Sequence, residues 1–179
     1  MAYLFFAGKM LSQDADSQVT SAIFEEPVKD GSLVVLGDLA EDDTYRKLGD
    51  IEFDLYKAAA PEAADDEVVI VDYAGISGGD INENYYKLGV KLFNLEAPAG
   101  ELVRVRRLHL HDKFWLGEDN FESEPTVGEF AEAKANSMKH EPKASLTGGQ
   151  YGIKILRKQD LTAGMESKGL MYLCEVVAL

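Results

Sequence analysis

Short apolar segments with a two-residue period recur about every 10–15 residues along this chain, and no stretch sustains a helical period. Gly, Pro, Asn and Asp punctuate them. The pattern specifies a mainly β protein: one antiparallel β-sandwich or barrel-like domain over residues 13–179, with long loops and an extended N-terminal arm over residues 1–12. Residues 21–24 read as a short strand before Pro27, and residues 33–36 as an apolar strand stopped by Gly37 and Asp38. Ile51, Phe53 and Leu55 alternate with acids, as in a strand with one wet face. Residues 58–66 read as a loop. Residues 68–71 are apolar on both faces, which marks a central strand, and residues 75–80 form a Gly-rich loop. Residues 85–95 form a hairpin with the strand after Gly100, and residues 126–143 read as an irregular strand. Residues 151–155 are a strand, and residues 170–177 a closing strand buried on both sides.

The chain is organised around residues 100–117, one long bent strand or a tight strand pair. They hold the single Trp, two of the three His and the densest positive charge. Val103 and Val105 share a face opposite Arg104 and Arg106, but Arg107 and Leu108 fall out of phase. An inserted residue produces such a slip, so a bulge or sharp bend is expected near Arg106 and Arg107.

With 46% apolar residues the 179-residue chain has material for a core. Thirty-two acids against 18 bases leave a net charge of −14, which opposes contact with nucleic acid or anionic membranes. The one cysteine, Cys174, lies in an apolar run and reads as a buried thiol, with no disulfide expected. Residues 1–9 lack the basic lead-in and apolar length of a signal peptide, and no run reaches the ~20 apolar residues of a membrane span. Synthesis in a cytoplasm is expected.

His109 and His111, two apart, would point the same way on a strand and reach one metal ion. The cupin pattern has a Glu three or four residues further on, where this chain has Trp115 or Leu116, and Glu118 comes too late. Solvent-facing or hydrogen-bonded strand histidines are therefore expected, and no metal. The loop at 75–80 lacks the Lys-Ser/Thr of a phosphate cradle, and Ser77 and Ser145 lack a hydrolase elbow. The pairs Asp42-Asp43 and Asp65-Asp66 stand outside any twelve-residue Ca²⁺ loop. No nucleophile, base and orienting partner can be named together, so no catalytic residues, cofactor or enzyme activity are expected.

Two features suit binding. Tyr3, Leu4, Phe5 and Phe6 are costly to leave wet, so the arm adds a strand to its own sheet or docks on a neighbour. Arg104, Arg106, Arg107 and Trp115 are residue types enriched at interfaces, although intramolecular pairing would also occupy the arginines. A ligand- or carbohydrate-binding β module, stacking sugars on Tyr85, Tyr86 and Trp115, is the rival reading.

Several phrases resemble a known family. Val34-Val35-Leu36-Gly37-Asp38-Leu39, Asp66-Glu67-Val68-Val69-Ile70-Val71 and Tyr86-Lys87-Leu88-Gly89-Val90-Lys91-Leu92-Phe93 resemble the auxiliary head proteins of tailed bacteriophages. Val105-Arg106-Arg107-Leu108 and Asp112-Lys113-Phe114-Trp115-Leu116-Gly117 continue the order, over residues 33–121. The resemblance implies a structural virion protein, of decoration or cement type, that binds the major capsid protein lattice. Many copies, or a homo-oligomer, would sit on the capsid exterior. It implies no catalytic residues.

Overall fold

The two segments that are apolar on both faces, around Leu33 and Ile70, lie between two hydrophobic cores. A computed structural model of the protein describes residues 5–11, 19–40, 47–48, 51–52, 55–73, 96–163 and 166–179. The first strands are β1 (Phe5–Lys9), β2 (Val19–Ile23), β3 (Val28–Lys29), β4 (Leu33–Leu39) and β5 (Lys47–Leu48). There follow β6 (Ile51–Glu52), β7 (Leu55–Ala59), β8 (Val69–Val71), β9 (Glu96–Ala97) and β10 (Leu102–Arg107). The C-terminal part supplies β11 (Lys113–Gly117), β12 (Phe130–Ala133), β13 (His140–Lys143), β14 (Gly152–Ala163) and β15 (Glu166–Ala178). A 3-10 turn spans Glu118–Asn120, and no α-helix occurs among the described residues.

Five strands close into a barrel, β10-β2-β7-β4-β8, and six form a sheet, β1-β11-β15-β14-β12-β13. This is the mainly β, barrel-like architecture expected. The barrel contains one parallel pair, β2 with β7, where an all-antiparallel arrangement was expected. A parallel neighbour needs a long crossover, and the chain between these strands includes β3 and β4.

One core fills the barrel and contains Val34, Val69, Val71, Val103 and Val105. The other lies between barrel and sheet and contains Leu33, Ile70, Phe114, Leu116, Tyr151, Ile153 and Tyr172. Val69 and Val71 thus face one core and Ile70 the other. Alternation of side chains across a strand explains why β4 and β8 carry no polar face in this region: both their faces are interior. β10 borders only the barrel core, so its valines alternate with arginines.

Residues 100–117 are a strand pair split between the two layers. β10 pairs in unbroken register with β2 and β8, so of the bulge or sharp bend expected near Arg106 and Arg107 the bulge is absent and the chain bends instead, just after Arg107. The phase slips because the chain leaves the barrel after Arg107, buries Leu108 in the second core, and turns through residues 109–112. The Asp112 carboxylate fastens the turn, accepting the His109 and Leu11 N–H groups at 2.9 Å each. His111 takes the left-handed conformation, φ 71°.

Other boundaries shift. β4 continues through the exposed Gly37 and Asp38, where its pairing with β7 shifts register between Leu36 and Leu39. Residues 126–143 are two strands, β12 and β13, joined by a turn with Asn136 at φ 58°. β14 runs past Ile155 to Ala163, because its polar residues there pair with β15. In β15, Tyr172, Cys174 and Val176 are buried, whereas Leu173, Glu175 and Val177 are half-buried, so one face is interior and not both. The pair Asp42-Asp43 and the readings at 75–80 and 85–95 lie outside the described residues.

Candidate docking surface

The residues singled out for binding separate into two groups on different layers. Arg104, Arg106 and Arg107 belong to the barrel, whereas Phe5, Phe6 and Trp115 belong to the sheet. Tyr3 and Leu4 lie outside the described residues.

Intramolecular pairing occupies all three arginines. Both Arg104, at 2.8 Å, and Arg106, at 2.5 Å, reach Oδ2 of Asp72, at the end of β8. Arg106 and Asp72 are nearly buried, with side chains 11% and 10% exposed. Arg107 pairs with Glu67 at 3.0 Å in the open. Arg106 is thus spent inside the protein, and its expected role as a docking group does not follow. Asp72 was the missed partner. It directly follows the apolar run of β8, and an acid ending a central strand is a signal for a paired charge.

The arm is likewise committed. β1 pairs antiparallel with β11, with Phe6 in register with Trp115. Phe5 is buried, its ring 5.5 Å from that of Phe114, so it is not a docking contact. Its backbone N–H donates to Asp30 at 2.8 Å, and the other Asp30 oxygen accepts the Tyr73 N–H at 2.8 Å. One buried carboxyl thus ties the sheet edge to the end of β8. Burial pushes Asp30 up to about 8; the Phe5 and Tyr73 hydrogen bonds oppose the rise and neighbouring Asp72 adds to it. Its backbone carbonyl accepts Asn120 Nδ2–H at 2.7 Å. The sequence marked Asp30 and Gly31 only as a turn.

The histidine pair is not set out along a strand. His109 and His111 lie on the turn and not on a strand, so spacing by two does not align their rings. His111 is 80% exposed, with Nδ1 3.3 Å from Glu175. No group of three metal-ligating residues occurs among the described residues. His140 is buried on β13, beside the Tyr151 hydroxyl at 3.0 Å, and burial lowers it to about 4. Burial pushes the Cys174 thiol up, which leaves it unreactive. Asp66 caps its own turn, accepting the Glu62 and Ala63 N–H groups. Glu132 is buried yet kept below the ordinary carboxyl range. Burial opposes its ionisation, but Thr147 and Lys143, at 2.9 Å, prevail.

What remains for a partner is the outer face of the sheet. Trp115, Leu173 and Arg157 stand side by side on β11, β15 and β14, and the Arg157 guanidinium lies 5.2 Å from the Trp115 ring centre. One step along, Lys154 lies 5.9 Å from the Phe130 ring centre. Neither cation forms an ion pair among the described residues, although Lys154 is in register with Glu175 on β15 and Arg157 Nη2–H donates to Gln159 Oε1 at 2.5 Å. Such cation–aromatic contacts stabilise by about 0.5–1 kcal/mol at the surface, and Trp115, Phe130 and Lys154 stay half-buried while Arg157 is exposed. A separate groove of about 1210 Å³ opens on the barrel, lined by Phe24, Val35, Ala58 and Met138 with Glu25 and Lys57 among others. Trp115 does not line it, and Tyr85 and Tyr86 lie outside the described residues.

No family model, curated protein or solved structure matches this chain.

Proposed function

We propose that this chain is a structural virion protein that decorates and stabilises a bacteriophage capsid, binding the major capsid protein lattice from outside. The observation that supports this most is the outer sheet face. In a chain of net charge −14, Lys154 and Arg157 stand over aromatic rings without ion pairs among the described residues. That face replaces the arm and the barrel arginines as the contact surface. Aromatic and Arg side chains are the types enriched at binding hot spots, and positive charge on this face offsets repulsion between acidic bodies. Catalysis has no part in the reading. Preferential binding to the assembled shell stabilises it by mass action, and many copies act together. Mass spectrometry of purified particles tests the assignment. Many copies per particle are expected, lost together with the shell; particles free of the chain would refute it.

A further inference from the structure

We propose that the outer edge of β14 is a self-association surface, on which a second copy of this chain pairs antiparallel about a two-fold axis through Gln159. β14 and β15 continue together beyond their neighbours. β12 leaves β14 at Lys154 and β11 leaves β15 at Met171, while β14 and β15 stay paired to Ala163 and Glu166. A two-stranded ribbon is marginal in water, and its edges offer unpaired N–H and C=O groups to any strand of matching register. Among the described residues, no backbone group outside β15 pairs with residues 157–160, and all four side chains are exposed.

Charge selects both the occupant and the register. A two-fold axis normal to a sheet keeps each residue on its own face, so each candidate register has one residue meeting its own copy on the axis. With Arg157, Lys158 or Asp160 on the axis, identical charges meet, which is destabilising. With Gln159 on the axis, two amides meet, each accepting Arg157 Nη2–H of its own chain at 2.5 Å and keeping its NH2 to donate, and Lys158 of each copy faces Asp160 of the other. The segment Arg157-Lys158-Gln159-Asp160 is complementary to itself in that register alone. Lys158, held at 2.8 Å by Glu124, is already positioned on the face concerned. Pairing of this kind extends the sheet and leaves the Trp115 ring uncovered; Arg157 belongs to both surfaces, and the variants at Lys158 and Asp160 leave it in place, so they read self-association apart from capsid binding.

Sedimentation equilibrium of the full chain is expected to show a monomer–dimer equilibrium. Asp160→Lys, and separately Lys158→Asp, each place like charges together twice and weaken the dimer by about tenfold. The double variant Lys158→Asp with Asp160→Lys restores it, which misfolding of either single variant would not do. A wild-type chain monomeric at every concentration overturns the proposal. So does a dimer indifferent to Asp160→Lys, or one that the double variant fails to restore.

Discussion

Val69 and Ile70 are neighbours in the chain and belong to different cores, Val69 inside the barrel and Ile70 against the sheet. The wall between the cores is therefore one residue thick, and neither core keeps its shape without β8. Ile70→Ala is expected to cost about 2–5 kcal/mol, as for other large-to-small core changes. Unfolding should remain one transition. Trp115 fluorescence, which reports the sheet, and far-UV circular dichroism, which reports both layers, should give coincident urea midpoints. Separate midpoints would show that the layers melt independently.

The arginine pairs differ in burial and should differ in weight. Asp72→Ala takes a charged hydrogen-bond partner from Arg106, whose side chain is 11% exposed, and is expected to cost about 1.5–3 kcal/mol. Arg107→Ala breaks a pair in which Glu67 is 79% exposed and should cost under about 1 kcal/mol. Denaturant titrations of the two variants measure the contrast.

Asp30 sets a pH dependence of known sign. Its folded value, about 8, stands above the ordinary 3.8, so its contribution to stability is full below 3.8 and is lost as pH rises towards 8. His140 acts oppositely. Lowered from 6.5 to about 4, it contributes fully above 6.5 and loses that contribution as pH falls. Between pH 6.5 and 8 only the Asp30 slope remains of these two. Stability should therefore fall over that interval in the wild type, and the fall should flatten in Asp30→Asn. Urea unfolding at stepped pH measures it.

Gly31 and Gly100 share φ 77° but not their surroundings. A Cβ on Gly31 would lie 2.6 Å from Asn120 Nδ2, whereas one on Gly100 meets nothing within 4 Å. Gly100→Ala should cost about 1–2 kcal/mol from backbone conformation alone. Gly31→Ala should cost more, since it also displaces the Asn120 hydrogen bond to Asp30. The difference between their melting temperatures isolates the steric part.

Periodicity made the strands legible, and continuous apolarity made residues 33–36 and 68–71 legible as central. The sequence does not say that such strands serve two cores, because a segment apolar on both faces looks alike between two sheets or inside two layers. The slip at Arg107 was visible in the alternation, yet a bulge and a change of layer leave the same trace. β14 escaped beyond Ile155 because Arg157, Lys158, Gln159 and Asp160 are all exposed, and an exposed ribbon has no apolar period. The candidate surface was half legible. Trp115 was visible as an interface residue, but its partner Arg157 lies 42 positions away in the chain (157 − 115) and meets it only through the β11-β15-β14 order. The carboxyls that hold Arg106 and Phe5 lie 34 and 25 positions away, which is why the arginines and the arm resembled free binding groups.

Co-sedimentation with empty capsids assembled from the major capsid protein of the same genome tests the central claim most directly. The wild-type chain should pellet with the shells and saturate, and Lys154→Glu with Arg157→Glu should weaken binding by about tenfold or more while unfolding stays unchanged. A folded wild-type chain that stays in the supernatant at every shell concentration would contradict the account.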